Sequence, residues 1–286
     1  MTVNPYLEYL PLRLGVALVD TLPLGAALAL GRAVGVAAYR TMPRRRKLAQ
    51  SNILAAGCAA DSRAADIIAK KSFQSFGMVA IESLAASRII TAENVDAHTE
   101  LVWPEASRAL IDEPGRPVVL AVPHLGNWEV SGHIASFHKK LVAVARNMDN
   151  PLVQRFMLRR NPRRNIEIVG KHSGGAALLR PLKNGHLLAL VCDQHASGSG
   201  VVCDFLGRPA KTITSPARLH LSTRAPLICA CCVRIAPMKF RAIVSEPLDR
   251  TGATVPEITA EINARLGAYI RDYPEQYLWS HNRWRV

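Results

Sequence analysis

The sequence predicts an α/β domain on a largely parallel central sheet flanked by helices, with an apolar helical membrane anchor at its N-terminus. Three observations lead there. Beyond about residue 116, short apolar runs rich in β-branched residues alternate with segments of helical length, as in strands joined by crossover helices. Ahead of them Ala64–Arg88 sets Ile67, Ile68, Phe73, Phe76, Val79 and Leu84 close to a 3.6-residue period, the mark of an amphipathic helix. The first forty residues are the most apolar of the chain.

In that first segment only Asp20 is charged between Leu14 and Gly31, Pro23 interrupts the middle, and the uncharged run Thr21–Gly31 is 11 residues long. A bilayer span needs roughly 20 apolar residues, so a helical hairpin or an in-plane anchor fits better than a crossing. The run Arg44-Arg45-Arg46-Lys47 that follows would meet anionic head groups; a core-packed helix with a solvated basic turn is the equally weighted alternative. No secretory signal fits, because Arg13 and Asp20 flank the apolar stretch and no small-x-small cleavage site closes it. The boundary is expected at residue 47, with 1–47 membrane-associating and 48–286 forming the main domain.

Asp61 or Ser62 is placed to cap the long helix. Strands are expected at Pro117–Pro123, Leu141–Ala145, Ile166–Val169, Leu187–Cys192, Leu227–Val233 and Phe240–Val244. Between and after them come helices near Asn127–Phe137, Leu152–Arg160, Gly174–Lys183, Ile213–Ser222 and Pro256–Asp272, and a Gly/Ser loop at Ala196–Gly200.

Charge narrows the function. The 36 basic against 22 acidic residues leave +14 on a chain that is 49% hydrophobic. Disordered basic tails are poorer in apolar residues, and polytopic membrane proteins repeat long apolar spans, so both are excluded. The surplus points to an anionic partner, either nucleic acid or an anionic bilayer, between which composition does not choose. No zinc-finger, RNP or helix-turn-helix signature supports nucleic acid, which stands as the rival reading. Cys229-Ala230-Cys231-Cys232 lies in an apolar run with no second ligand pair, and on a strand its thiols alternate between faces. These cysteines are read as small buried residues in a reducing compartment, with no metal site expected.

The chemistry concentrates at Val118–Val130. There an apolar strand ends at Pro123, His124 follows, Gly126 and Asn127 turn the chain, and Glu129 opens the next helix. Ligands of open α/β sheets bind beyond the carboxyl ends of strands, where this histidine would sit. A carboxylate on one imidazole nitrogen fixes the tautomer and leaves the other free to take a proton from an alcohol, so the His-x4-Glu spacing makes His124 a candidate base and Glu129 its orienting partner.

The string His124-Leu-Gly-Asn-Trp-Glu129 closely resembles the bacterial lipid A biosynthesis acyltransferase family, which includes lauroyl and myristoyl transferases and related phosphatidylinositol mannoside acyltransferases. The resemblance continues in order through Arg146-Asn-Met-Asp-Asn-Pro151, Leu190-Val-Cys-Asp-Gln194, Phe205-Leu-Gly-Arg-Pro-Ala-Lys-Thr212 and Tyr277-Leu-Trp-Ser-His-Asn-Arg-Trp284. It implies a glycerolipid acyltransferase-like fold and O-acyl transfer from an acyl carrier protein or coenzyme A thioester, with no resident cofactor, to a hydroxyl of a lipid A precursor or similar glycolipid. The implied place is the cytoplasmic face of the cell inner membrane, against anionic lipid. Carried over, His124 is the general base, Glu129 its orienting partner and Asp193 a further acid ranked below it. Arg146 positions phosphate or developing negative charge, with Asn127, Gln194 and Arg159 as further substrate contacts. Where the family has Asp-Gln-Asp this chain reads Asp193-Gln194-His195. Hydrolysis of the same thioester is the alternative chemistry.

Overall fold

The computed structural model describes residues 4–145, 148–160, 165–170, 173–248 and 252–285. Four helices come first: α1 (Tyr6–Thr21), α2 (Leu24–Thr41), α3 (Pro43–Ala55) and α4 (Ser62–Ile89). There follow α5 (Val95–His98), β1 (Thr99–Val102), α6 (Glu105–Asp112), β2 (Val118–Val122), α7 (Trp128–His138), β3 (Leu141–Ala145), α8 (Pro151–Arg160) and β4 (Ile166–Gly170). The remainder is α9 (Gly174–Lys183), β5 (Leu187–Val191), β6 (Val201–Phe205), β7 (Arg208–Thr212), α10 (Ser215–Thr223), β8 (Leu227–Ala236), β9 (Lys239–Val244) and α11 (Val255–Asp272).

The main sheet has the order β1-β9-β8-β2-β5-β3-β4. Every neighbouring pair is parallel except β8 and β9, which form an antiparallel hairpin, so the strands from β8 to β4 run one way and β9 and β1 run back. The central strand β2 is buried along its whole length, as a strand covered on both faces must be. One face packs against α10 and α11 around Leu188, Leu227, Ile262 and Leu266; the other carries Leu120, Leu187 and Ile228 beneath α6 and α7. Helix α4 starts where expected, with Asp61 accepting a hydrogen bond from the Ala64 amide at 2.7 Å.

The strands from Pro117 onward and their intervening helices match the sequence pattern to within a few residues. Several elements do not come from it. Edge strand β1 is only four residues long and alternates partly buried with exposed residues, too short for periodicity to register. Helix α6 is eight residues long, and β6 and β7 form a separate two-stranded antiparallel hairpin in a stretch where the pattern predicts no strand.

The expected N-terminal membrane anchor is corrected by the structure. No helix among the described residues is long and apolar enough to cross a membrane. Pro23 divides the apolar stretch between α1 and α2, and the small residues of α2 are taken up by packing on α4. Gly31 and Gly35 of α2 meet Gly77 of α4 so closely that a Cβ on Gly31 would stand 2.7 Å from the Gly77 carbonyl oxygen, and one on Gly77 would collide with the Gly31 carbonyl. Backbones can approach this far only where side chains are absent. Gly77→Val should therefore destabilise the fold by about 1–3 kcal/mol or more through overpacking, read as a lowered denaturant midpoint.

Candidate active site

The register of two parallel strands creates the site. Val122 of β2 pairs with Val191 of β5, and the ladder runs on as the Cys192 amide donates to the Val122 carbonyl at 3.1 Å. Two residues further along each strand, His124 and Asp193 stand side by side. The His124 backbone amide donates to Asp193 Oδ2 at 3.0 Å, and His124 Nδ1 lies 2.8 Å from Asp193 Oδ1. The Asp193 side chain is 1% exposed and that of His124 19%. Burial opposes ionisation of Asp193, yet the facing His124, the hydrogen bonds from its ring and amide, and one from the Tyr277 hydroxyl outweigh it and hold the carboxyl below its usual range. An ionised carboxylate only accepts, so a proton on Nδ1 is directed at Asp193, and Nε2 turns toward the Gln194 amide.

This revises the expected ranking of the two acids. Asp193 occupies the Nδ1 side of the ring, because strand register brings residue 193 to it, while Glu129 sits on the first turn of α7. Glu129 instead lines the cavity described below, together with Trp128, whose ring is 5.1 Å from that of His124. Gln194 is also at the site, its Nε2 3.5 Å from His124 Nε2. Asn127 is not: it is fully buried as the cap of α7, its Oδ1 accepting from the Val130 amide and its Nδ2 donating to Glu82 Oε2 at 3.0 Å and to the Val79 carbonyl. Arg159 is exposed on α8. Arg146 lies outside the described residues.

The turn after His124 is clamped from two sides. Gly126 adopts φ +60°, its amide donates to the Gln276 carbonyl, and a Cβ there would strike the Cys232 carbonyl. The Asn127 amide donates to that same carbonyl at 2.8 Å, and the His124 carbonyl accepts from the Leu278 amide at 3.2 Å. Beneath the turn, Arg234 makes an ion pair with the fully buried Glu82, donating from Nη2 to Oε2 at 2.7 Å and from Nε to Oε1. The sequence carries a signal for this pair in Glu82, an acid on the apolar face of α4, and Arg234, a base at the end of the apolar run of β8. Arg283 is likewise buried, donating to the Lys211 carbonyl and to Thr212 Oγ1, with its guanidinium 4.7 Å over the Phe205 ring.

An apolar cavity of about 660 Å³ opens beside His124 and Gln194 and runs between α7 and the sheet. Its sheet wall carries small side chains at Ala143, Ala189, Ala230 and Ala242, and α7 adds Gly132 and Ala135. The clustered cysteines of β8 divide between faces, Cys229 and Cys231 on the α11 side and Cys232 on the other. Burial pushes the Cys229 thiol up to about 12 and raises the other two, so none is a nucleophile near neutrality.

A partly exposed histidine and a buried carboxylate meet at adjacent ends of parallel strands, beside an apolar slot, an arrangement capable of proton transfer. The chain matches the description "Bacterial lipid A biosynthesis acyltransferase" over residues 6–286 and belongs to that family. It is 27% identical over 176 residues to the phosphatidylinositol mannoside acyltransferase of Mycobacterium tuberculosis, covering 59% of this chain and 55% of that protein, so the chain spans about half the length of that relative. It is 22% identical over 273 residues to the lipid A biosynthesis palmitoleoyltransferase of Escherichia coli, covering 93% and 87%. Among solved structures, the 1-acyl-sn-glycerophosphate acyltransferase of Thermotoga maritima overlays loosely, with TM-score 0.36 and 13% identity over 84% of this chain and 96% of that one.

Two outcomes follow from the geometry. Because the folded-state Asp193 carboxyl is lowered, its stabilisation is present above the ordinary carboxylate range and is lost as pH falls through the lowered value. Wild type should melt above Asp193→Asn at neutral pH, and the gap should close as the pH is taken below about 4. Arg234→Met strands Glu82 in the interior and should cost about 3–5 kcal/mol in denaturant unfolding.

Proposed function

We propose that this protein is an O-acyltransferase that moves a fatty acyl group from a thioester donor, acyl carrier protein or coenzyme A, to a hydroxyl of a glycolipid acceptor. The observation that carries the reading is the Asp193-held His124 lining an apolar cavity. The names of the relatives support the acceptor class, since both a phosphatidylinositol mannoside and lipid A are glycolipids.

In the proposed reaction His124 Nε2 takes the proton of the acceptor hydroxyl as its oxygen attacks the thioester carbonyl. Asp193 stabilises the imidazolium that forms. The tetrahedral oxyanion collapses, the carbon–sulfur bond breaks, and the thiolate leaves with the proton returned from His124. The product is an ester and a free thiol. The Gln194 amide supplies a hydrogen-bond donor where the oxyanion develops. The acyl chain occupies the cavity. Arg146, Arg159 and Glu129 are proposed to contact the acceptor head group or the donor.

The reading places the protein at the cytoplasmic face of the inner membrane, in surface contact with anionic lipid. Exposed Arg44 and Arg45 support this, because Arg45 donates to the Ser280 carbonyl and so lies against the C-terminal segment that flanks the site. Binding to vesicles containing phosphatidylglycerol should exceed binding to neutral vesicles and weaken with salt, as judged by co-sedimentation.

Purified His124→Ala should lose acyl transfer to a glycolipid acceptor by about 10²–10⁴-fold while keeping its melting temperature within a few degrees. Mass spectrometry of the lipid product reads the added acyl group. Near-wild-type transfer by that variant would overturn the base assignment, and release of free fatty acid with no acylated lipid would make the protein a hydrolase.

A further inference from the structure

The far end of the cavity is lined by side chains whose placement follows from topology. Strand β1 is parallel to β9, β9 antiparallel to β8, and β8 parallel to β2, so β1 ends at the edge of the sheet where β2 begins. Trp103, the residue after β1, therefore lies at the opposite edge from His124. Helix α7 leaves the turn after His124 and runs back along the slot, so its last residue, His138, reaches that same far edge. The Trp103 and His138 rings meet edge to face with centroids 5.0 Å apart. Both line the cavity, as Trp128 does at the other end of α7. Ten residues of helix separate Trp128 from His138, so the slot is about 15 Å long.

The wall is braced from outside. His138 Nδ1 lies 3.3 Å from Asp112 Oδ1, and the Arg108 guanidinium sits 6.0 Å from the Trp103 ring centre. Trp103 is half-buried, with the cavity on one side and Arg108 on the other. The end of the slot is thus lined by two rings rather than backbone. Midway along, Gly132 of α7 faces the slot, where an added Cβ would meet only the Leu141 Cδ2 methyl, at 3.2 Å.

We propose that the Trp103–His138 wall sets the length of acyl chain the protein accepts, and that Gly132 keeps the middle of the slot open. This rests on the acyl-transfer reading, which assigns the cavity to the acyl chain. Each methylene that enters adds apolar burial until the chain end meets the indole, and further methylenes must then stay in water or displace the wall. Trp103 and His138 are specificity determinants here and take no part in bond making.

The test uses the full chain and displacement of cis-parinaric acid by saturated fatty acids of stepped length, which depends on neither donor carrier nor catalysis. Wild-type affinity should rise about fourfold per methylene up to a cut-off length and then level. Trp103→Ala should move the cut-off to longer chains. Gly132→Leu, a better helix former whose side chain would enter the slot, should move it to shorter ones. Melting curves confirm that each variant is folded, and Trp103→Phe supplies an intermediate wall should the alanine variant be unstable. An identical cut-off in wild type, the Trp103 variant and Gly132→Leu, or no displacement at any length, would overturn the assignment. A shifted cut-off in a protein that transfers no acyl group to glycolipid would instead uphold the wall and refute the reaction.

Discussion

The pairing of β2 with β5 is the constraint on which the site depends. Parallel strands place residues of matched register about 4.8 Å apart, so Val122 opposite Val191 brings His124 opposite Asp193 without any dedicated loop. A slip of one residue would turn the Asp193 side chain to the other face of the sheet and leave a buried carboxylate without its hydrogen bonds from His124. Register is fixed in turn by burial on both faces: Leu188 and Leu190 pack toward α11, Leu187 toward α7, and a slip would exchange them. The same hydrophobic contacts that hold the domain together therefore align the histidine.

Beyond the strand ends there is no ladder left to hold the backbone, and the C-terminal segment takes over. Residues 276–278 accept from Gly126 and donate to the His124 carbonyl, while Tyr277 is hydrogen-bonded to Asp193. Gln276 exchanges hydrogen bonds with the backbone of Arg234, whose guanidinium holds Glu82, which in turn holds Asn127. The chain of contacts is closed, and each buried charge in it is paired. Such a network contributes little to net stability compared with an apolar core of equal volume, but it allows few alternative positions for the turn that carries His124. Positioning is the property a proton-transfer site requires.

Much of this was legible in the sequence, for identifiable reasons. The parallel-sheet strands were visible because double-sided burial makes them continuous apolar runs, as in Val118–Val122 and Leu187–Val191. His124 was visible because a polar residue follows such a run directly. Its true partner was ranked second because sequence spacing favours the near carboxylate, Glu129, whereas the contact that forms spans 69 positions and depends on strand order, which hydrophobic periodicity does not encode. The N-terminal stretch was overread for a related reason. Apolar content counts methylenes and small residues alike, but Gly31, Gly35 and Gly77 act by their lack of side chains, allowing a close helix crossing within the protein. The Asn127 cap was misassigned because a polar residue beside a histidine reads equally as a ligand contact or as a hydrogen-bond partner for a helix terminus.

The cavity separates the demands of stability from those of function. Sheet positions under α7 that elsewhere carry leucine or valine carry alanine at 143, 189, 230 and 242, and Gly132 occupies a helix interior where it costs about 1 kcal/mol relative to alanine. Filling such positions with Val or Leu would bury on the order of 1.5–3 kcal/mol per side chain, so the chain forgoes several kcal/mol that its own core would otherwise supply. Protein interiors pack densely, and voids of this size are not left by geometry alone when larger side chains fit the same backbone. The cavity is largely apolar, and His124 and Gln194 are among the residues that line it. In the proposed reaction, a ligand that restored the missing burial there would also bring its reactive end to His124, so recognition of the apolar chain and alignment for proton transfer would come from one piece of architecture.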